Sequence, residues 1–158
     1  MEVVVSKASQ SDRELLENLL QLYIYDFTEF TNQPIPLNGL YKIMPDFESY
    51  WIEGQSHPYI IKANGEIAGF ILTKEIDEGR KYNYLAHFFV LRKFRGMGIG
   101  KRAAEQIFRK SKGEWELNQL LKNVPAQKFW DKVIEDVSKG EVKIRIENGK
   151  RYQTFICK

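Results

Sequence analysis

The most chemically loaded stretch of this chain runs from Phe88 to Arg102: Phe-Phe-Val-Leu-Arg-Lys-Phe-Arg-Gly-Met-Gly-Ile-Gly-Lys-Arg. An apolar strand passes through a cationic turn carrying Gly96, Gly98 and Gly100 and enters an amphipathic helix. Glycines at alternate positions let the backbone turn sharply and approach a ligand closely. The first turn of the helix adds unpaired N–H donors and the positive end of its dipole. With formal charge from Arg95, Lys101 and Arg102, the stretch reads as a site for a phosphate-bearing small molecule. The spacing excludes two familiar phosphate loops. A nucleotide-triphosphatase loop needs a glycine where Arg95 stands and a hydroxyl where Arg102 stands. A dinucleotide fingerprint counted from Gly96 needs its third glycine at Lys101. What remains is Arg-x-x-Gly-x-Gly, read as Arg95, Gly98 and Gly100.

A second block follows about one helix and one strand later: Asn123, Ala126, Phe129, Trp130 and Lys132 in the register Asn-x-x-Ala-x-x-Phe-Trp-x-Lys. In this order the two blocks resemble those of the GCN5-related N-acetyltransferase superfamily. The resemblance implies one α+β domain over residues 1–158, with a mixed, mostly antiparallel sheet and helices on both faces. It implies an acetyl-CoA-dependent N-acetyltransferase acting on the amine of a small molecule or protein, and it extends to a homodimer. By the same resemblance, Arg95, Gly96, Met97, Gly98, Ile99, Gly100 and Lys101 hold the pyrophosphate of acetyl-CoA. Phe89, Val90 and Leu91 pair with the pantetheine arm as an added strand would, and Asn123 and Phe129 line the cleft. A backbone N–H near Val90 polarises the thioester carbonyl, a donor that contributes about 3 kcal/mol when well aimed.

The chain departs from the family where protons move. Many members have a tyrosine acid at the position of Trp130, and an indole supplies no catalytic proton. A glutamate is frequent at the position of Ala86, which has no ionisable group. Presenting an alkyl ammonium of pKa about 10.4 as the neutral amine at pH 7 costs about 4.6 kcal/mol, whereas a thiol of pKa about 8.5 leaves as thiolate for about 2. Loss of the acid is therefore easier to survive than loss of the base. His87 is the nearest replacement base, since an unperturbed imidazole titrates near neutrality. Strand alternation turns it away from the face of Ala86 unless a bulge intervenes. Glu116, on the next strand, is a second catalytic candidate, and Tyr84 shares the face of Ala86. The same departures support an alternative: a non-catalytic acyl-CoA-binding or interaction module that has lost turnover. His57, beside Pro58, reads as surface. Two histidines and one cysteine far apart give no metal-ligand spacing.

The elements that position these residues follow from periodicity. A strand is expected over Glu2 to Ser6. Ser9 to Asp12 starts a helix whose apolar face carries Leu15, Leu16, Leu19, Leu20, Leu22 and Tyr23. Pro34, Pro36 and Asn38-Gly39 make residues 31–41 a loop, followed by a short helix around Asp46 to Glu53. By the family resemblance this region walls the acceptor site, making Tyr23, Tyr25, Asp26, Glu29, Phe30, Tyr50 and Trp51 candidates for substrate contact. Tyr59 to Lys62 and Ile67 to Thr73 are strands joined at Asn64-Gly65, and Lys81 to Leu91 is a central strand covered on both faces. Ile99, Ala103, Ala104, Ile107 and Phe108 form the buried stripe of the glycine-loop helix, with a short strand at Trp115 to Asn118 beyond it. Asn123 caps a helix with Pro125 in its first turn. Two strands around Asn148-Gly149 close the chain.

Composition narrows the function class. The chain has 158 residues, 43% of them hydrophobic, and a formal net charge of +3. That suits one core-forming domain. Cys157 is the sole cysteine, and no N-terminal leader or membrane-length apolar run is evident, so a cytoplasmic protein without a membrane role is expected. Through Ile60 the acids clearly outnumber Lys7, Arg13 and Lys42, whereas Arg92 to Lys112 is strongly basic. This asymmetry suits an enzyme that brings a cationic amine to an anionic cosubstrate. The basic segment lacks the interleaved aromatics of a nucleic-acid binder, so no nucleic-acid partner is expected.

Overall fold

The computed structural model describes residues 1–52 and 54–158. The chain runs β1 (Val3–Lys7), α1 (Arg13–Phe27), β2 (Ser56–Ala63), β3 (Glu66–Asp77), β4 (Lys81–Val90), α2 (Ile99–Lys110), β5 (Gly113–Leu120), α3 (Val124–Val137), β6 (Lys143–Glu147) and β7 (Lys150–Cys157). One seven-stranded sheet has the order β1-β2-β3-β4-β5-β7-β6, and every neighbouring pair is antiparallel except β4 and β5. The expected α+β class and mixed sheet are therefore what the chain forms.

Two cores separate the layers. On one face Leu16, Leu19 and Leu20 of α1 pack with Ile60, Phe70, Leu72 and Phe89. On the other, Ile99, Ala103, Ala104, Ile107 and Phe108 of α2 and Val133 and Ile134 of α3 pack with Ile71, Leu85, Trp115 and Leu117. The α2 stripe is essentially solvent-free, as its 3.6-residue spacing requires. Each of the buried Leu, Ile, Val and Phe side chains contributes about 1.5–3 kcal/mol by burial, the two alanines less.

Local signals set the boundaries. Ser9 N–H donates to Asp12 Oδ2 (2.9 Å) at the entrance to α1. Asn64 and Gly65, at φ 48° and 81°, and Asn148 and Gly149, at φ 50° and 74°, make tight hairpin turns. Asn123 Oδ1 accepts from Ala126 N–H (3.1 Å), capping α3.

Strand β3 is longer than its apolar run suggests. It continues through Asp77 because Lys74, Glu75, Ile76 and Asp77 pair with Tyr84, Asn83, Tyr82 and Lys81 of β4. This polar ribbon projects past the core, where backbone pairing needs no hydrophobic signal. The segment expected as a short helix to Glu53 is a 3-10 turn, Phe47–Trp51, that buries Phe47 and Tyr50; Glu53 lies outside the described residues.

Candidate functional site

Strands β4 and β5 pair only at Asn83 with Trp115 and Tyr84 with Glu116. Beyond Tyr84, among the described residues, no strand lies against the β5-facing edge of β4. The ladder shows which groups that leaves open. Leu91 N–H donates to Ala68 carbonyl (2.8 Å) on the β3 side. Alternate residues of an antiparallel strand address the same neighbour, so Phe89 also faces β3, while Phe88 and Val90 direct their backbone groups into the gap. Val90 carbonyl accepts there from Arg95 Nε (3.0 Å). The gap is the centre of a cleft of about 1040 Å³ bounded by β4, β5, α1, α2 and α3. That is at the upper end of the roughly 300–1,000 Å³ of small-molecule sites.

At one end stands the glycine loop. Gly96 and Gly98 have φ 77° and 76°, which L side chains rarely adopt. Gly98 precedes α2, and the first intrahelical bond joins Arg102 N–H to Gly98 carbonyl (3.2 Å). The N–H groups of Ile99, Gly100 and Lys101 are thus left for a ligand. Gly100 serves a different purpose: a Cβ there would lie 3.2 Å from the Phe129 ring of α3. Its absence lets α2 and α3 close around the cleft.

The cations of the loop are already engaged. Arg95 Nη2 donates to Asp26 Oδ2 (2.8 Å), and Arg92 Nη2 donates to Asp26 Oδ1 (3.0 Å). Partial burial raises the pKa of Asp26, but the hydrogen bonds from Arg95 and Arg92 outweigh it and hold this carboxyl below its ordinary range. Lys101 Nζ pairs with Asp136 Oδ2 of α3 (2.7 Å). Arg102 turns away and donates to Met1 carbonyl (2.5 Å), so its charge is not in the cleft.

The side of the cleft that carries His87 depends on a bulge. Leu72 of β3 pairs with His87 and Thr73 pairs with Leu85, leaving Ala86 as the extra residue in β4. Alternation therefore skips a step: Leu85 and Phe88 pack toward α2 and α3, while Tyr84, His87 and Phe89 face α1. His87 lines the cleft and meets Tyr23 of α1 edge to face, with Nδ1 3.0 Å from Tyr23 Oη. Burial, with Lys74 and Lys150 adding to it, pushes the imidazole down to about 4. The expectation that His87 titrates near neutrality is thereby corrected. It is neutral at pH 7, and its partner Tyr23, raised by burial, is neutral too. Asn118 Nδ2 donates to Tyr84 Oη (2.5 Å), tying β5 to β4 at the floor of the cleft.

Of the other expected residues, Val90, Arg95, Gly96, Gly98, Ile99, Gly100, Lys101, Asn123 and Phe129 line the cleft together. Phe89 lines it with a ring buried in the α1 core. Leu91 and Met97 are not in the lining: Leu91 is tied to Ala68, and Met97 is exposed. Glu116 is also outside it, buried and accepting from Arg145 Nη1 (3.2 Å) and Thr154 Oγ1 (3.1 Å). Of the acceptor-wall candidates, Tyr23 and Asp26 line the cleft, whereas Tyr25 is exposed and Tyr50 is buried beneath. Lys74, Asn118 and Lys150 were not anticipated, because each enters through strand pairing rather than a local motif. Cys157 is buried, and burial pushes its thiol up to about 11, far from a reactive nucleophile.

The model of the Acetyltransferase (GNAT) family matches residues 17–134. Among curated proteins, none is similar enough in sequence to match. The solved structures of similar fold include an acetyltransferase from Thermus thermophilus, 14% identical, with TM-score 0.72 and coverage of 99% of this chain and 97% of that one. Another is the PaiA N-acetyltransferase of Thermoplasma acidophilum in complex with coenzyme A, 16% identical, with TM-score 0.65 and 99% coverage of both chains. A third is an aminoglycoside acetyltransferase from an uncultured soil sample in complex with sisomicin, 15% identical, with TM-score 0.62 and coverage of 92% and 96%.

Proposed function

Because the chain belongs to the GNAT family of acetyltransferases, we propose that it transfers the acetyl group of acetyl-CoA to the amine nitrogen of a small molecule or a protein. The observation that carries this reading is the open edge of β4 beside the glycine loop: among the described residues the Phe88 backbone groups and the Val90 N–H face the gap without a strand partner, the Val90 carbonyl is held by Arg95 Nε, and the first N–H groups of α2 have no intrahelical partner. Such an edge accepts an extended amide-bearing arm, and such a helix start accepts a pyrophosphate. The coenzyme A held by the Thermoplasma acidophilum relative supports this donor, and the aminoglycoside complex supports an amine acceptor.

The thioester supplies an electrophilic carbonyl carbon and a thiolate leaving group. The Val90 N–H, on the open edge, is the donor for the oxygen that gains charge when the amine attacks. His87 is not a resting base for an ammonium. A proton at pKa about 10.4 stands roughly 6 units above an imidazole at about 4. The amine therefore reaches the site neutral, and in the tautomer whose Nδ1–H donates to Tyr23 Oη, His87 Nε2 offers it a hydrogen-bond acceptor. Once the nitrogen bonds to the acyl carbon its proton becomes acidic, and His87 then passes it toward water or the leaving sulfur.

Calorimetric titration with acetyl-CoA, with ATP as control, followed by thiol release in the presence of amines, tests the proposal. Saturable coenzyme binding with amine-dependent thiol release is the expected result. Binding without release would favour the second reading, an acyl-CoA-binding module, for which the buried Trp130 in place of an acid is the favouring observation.

A further inference from the structure

The charges around the acceptor side of the cleft do not balance. Among the described residues two carboxylates line it, and both are spent: Asp26 on Arg92 and Arg95, and Asp46 on Lys74. His87 is neutral and Tyr23 is uncharged. Lys150 lines the same cleft and, among the described residues, has neither an ion-pair nor a hydrogen-bond partner.

Strand pairing shows which side Lys150 occupies. Leu117 packs into the α2 and α3 core, so Asn118 and Leu120 of β5 take the opposite face, where Asn118 meets Tyr84. Lys150 is the cross-strand partner of Leu120 and shares its face. It shares that face with Tyr84, Asn118 and His87, and is near enough to His87 for its charge to help lower the imidazole pKa. Its other cross-strand neighbour, Glu147, is turned to Arg145 (2.9 Å). The uncompensated charge facing the acceptor is therefore positive, contrary to the cationic acceptor expected from the acidic N-terminal third.

Resting on the acetyltransferase reading, we propose that the acceptor is an amine that also carries a carboxylate, and that Lys150 holds the carboxylate while the amine reaches His87. Lys132, also without an ion-pair or hydrogen-bond partner among the described residues, lines the cleft from α3 on the other face of the sheet, where Asp136 is a neighbouring opposite charge. On the Lys150 face a single ammonium matches a single negative charge, whereas a phosphate dianion would call for a second free cation there or an arginine fork. A dication meets uncompensated like charge and is excluded. The transfer balances without a further reactant. The neutral amine forms the C–N bond, the C–S bond breaks with its electron pair on sulfur, and the amine proton ends on that sulfur, giving an amide and free coenzyme A thiol.

The test uses the full chain, acetyl-CoA and amines matched except for charge: 4-aminobutyrate, butylamine and 1,4-diaminobutane. Glycine, β-alanine and 6-aminohexanoate vary the span, and O-phosphoethanolamine is the phosphate arm. The best aminocarboxylate is expected to exceed butylamine at least tenfold in kcat/KM, with the diamine lowest. Lys150→Ala abolishes that ratio chiefly through KM, and Lys150→Glu inverts it, while acetyl-CoA affinity by calorimetry stays unchanged. Equal use of charged and uncharged amines, preference for the phosphate, or an equal loss for all amines in Lys150→Ala overturns the proposal. Binding of the same amines to coenzyme A-saturated protein separates it from the transferase reading. A carboxylate preference lost in Lys150→Glu, without thiol release, retains the anion site and removes turnover. No preference in either assay removes the site.

Discussion

Arg95 Nη2 lies 2.8 Å from Asp26 Oδ2, and this contact fastens the turn after β4 to the last turn of α1. The arginine of the proposed phosphate site thus has a carboxylate of the proposed acceptor wall as its partner. A pyrophosphate arriving at the loop competes with that carboxylate, which links the two halves of the cleft electrostatically.

Asp26→Asn keeps the shape and removes the competitor. The Arg95 and Asp26 side chains are 42% and 27% exposed, so the pair is worth about 0–1 kcal/mol. Acetyl-CoA affinity is expected to rise about two- to fivefold at low salt, and the gain should shrink at high salt. Calorimetry at two ionic strengths checks this. Weaker binding would instead make Asp26 the group that aims Arg95.

The depressed His87 pKa is a statement about stability. The unfolded chain takes up this proton near pH 6.5 and the folded chain only near 4, so the unfolded state binds more protons between those values. Stability therefore falls as pH drops through this window, by about 3 kcal/mol from this residue. Urea unfolding at pH 7.5 and 4.5 should show that His87→Gln loses less stability on acidification than the parent chain. An equal loss would mean that the buried imidazole charges without cost.

The parts of this molecule written in local patterns are legible from its sequence. The α2 stripe, the Asn-Gly turns and the Asn123 cap each depend on successive residues spaced no more than four positions apart. The bulge at Ala86 is not of that kind, because it is a register relation between β3 and β4. Without it His87 reads as facing away from the site. Lys150 is farther still from view, since it joins the cleft through β7 pairing with β5. Counting charges likewise overstated the acidity of the acceptor side, because sequence does not reveal that Asp26 and Asp46 are consumed by Arg92, Arg95 and Lys74.

Gly98 and Gly100 should respond differently to alanine. At Gly98 a Cβ meets nothing within 4 Å, but φ is 76°, so Gly98→Ala costs about 1–2 kcal/mol through backbone strain alone. Gly100 has no positive φ and sits in the first turn of α2, where alanine favours the helix by up to about 1 kcal/mol. Its Cβ would press on the Phe129 ring at 3.2 Å, so stability should stay nearly level while coenzyme affinity falls. Urea unfolding and calorimetry on both variants separate strain from crowding.

By the resemblance of its motif, Trp130 takes the position where many family members carry a tyrosine acid; the residue is 6% exposed and packs edge to face on Phe88, Phe108 and Phe129. Its contribution is then packing, not proton transfer. Trp130→Phe should leave turnover within about twofold of the parent, because expelling a thiolate at pH 7 costs only about 2 kcal/mol unaided. Stability should fall by about 1–3 kcal/mol from the lost ring volume. Thiol-release kinetics and urea unfolding on one preparation decide the matter. A tenfold drop in kcat with the fold intact would assign the indole N–H a place in the transition state, whereas the stability loss alone leaves the leaving thiolate to receive the amine proton through His87 or water.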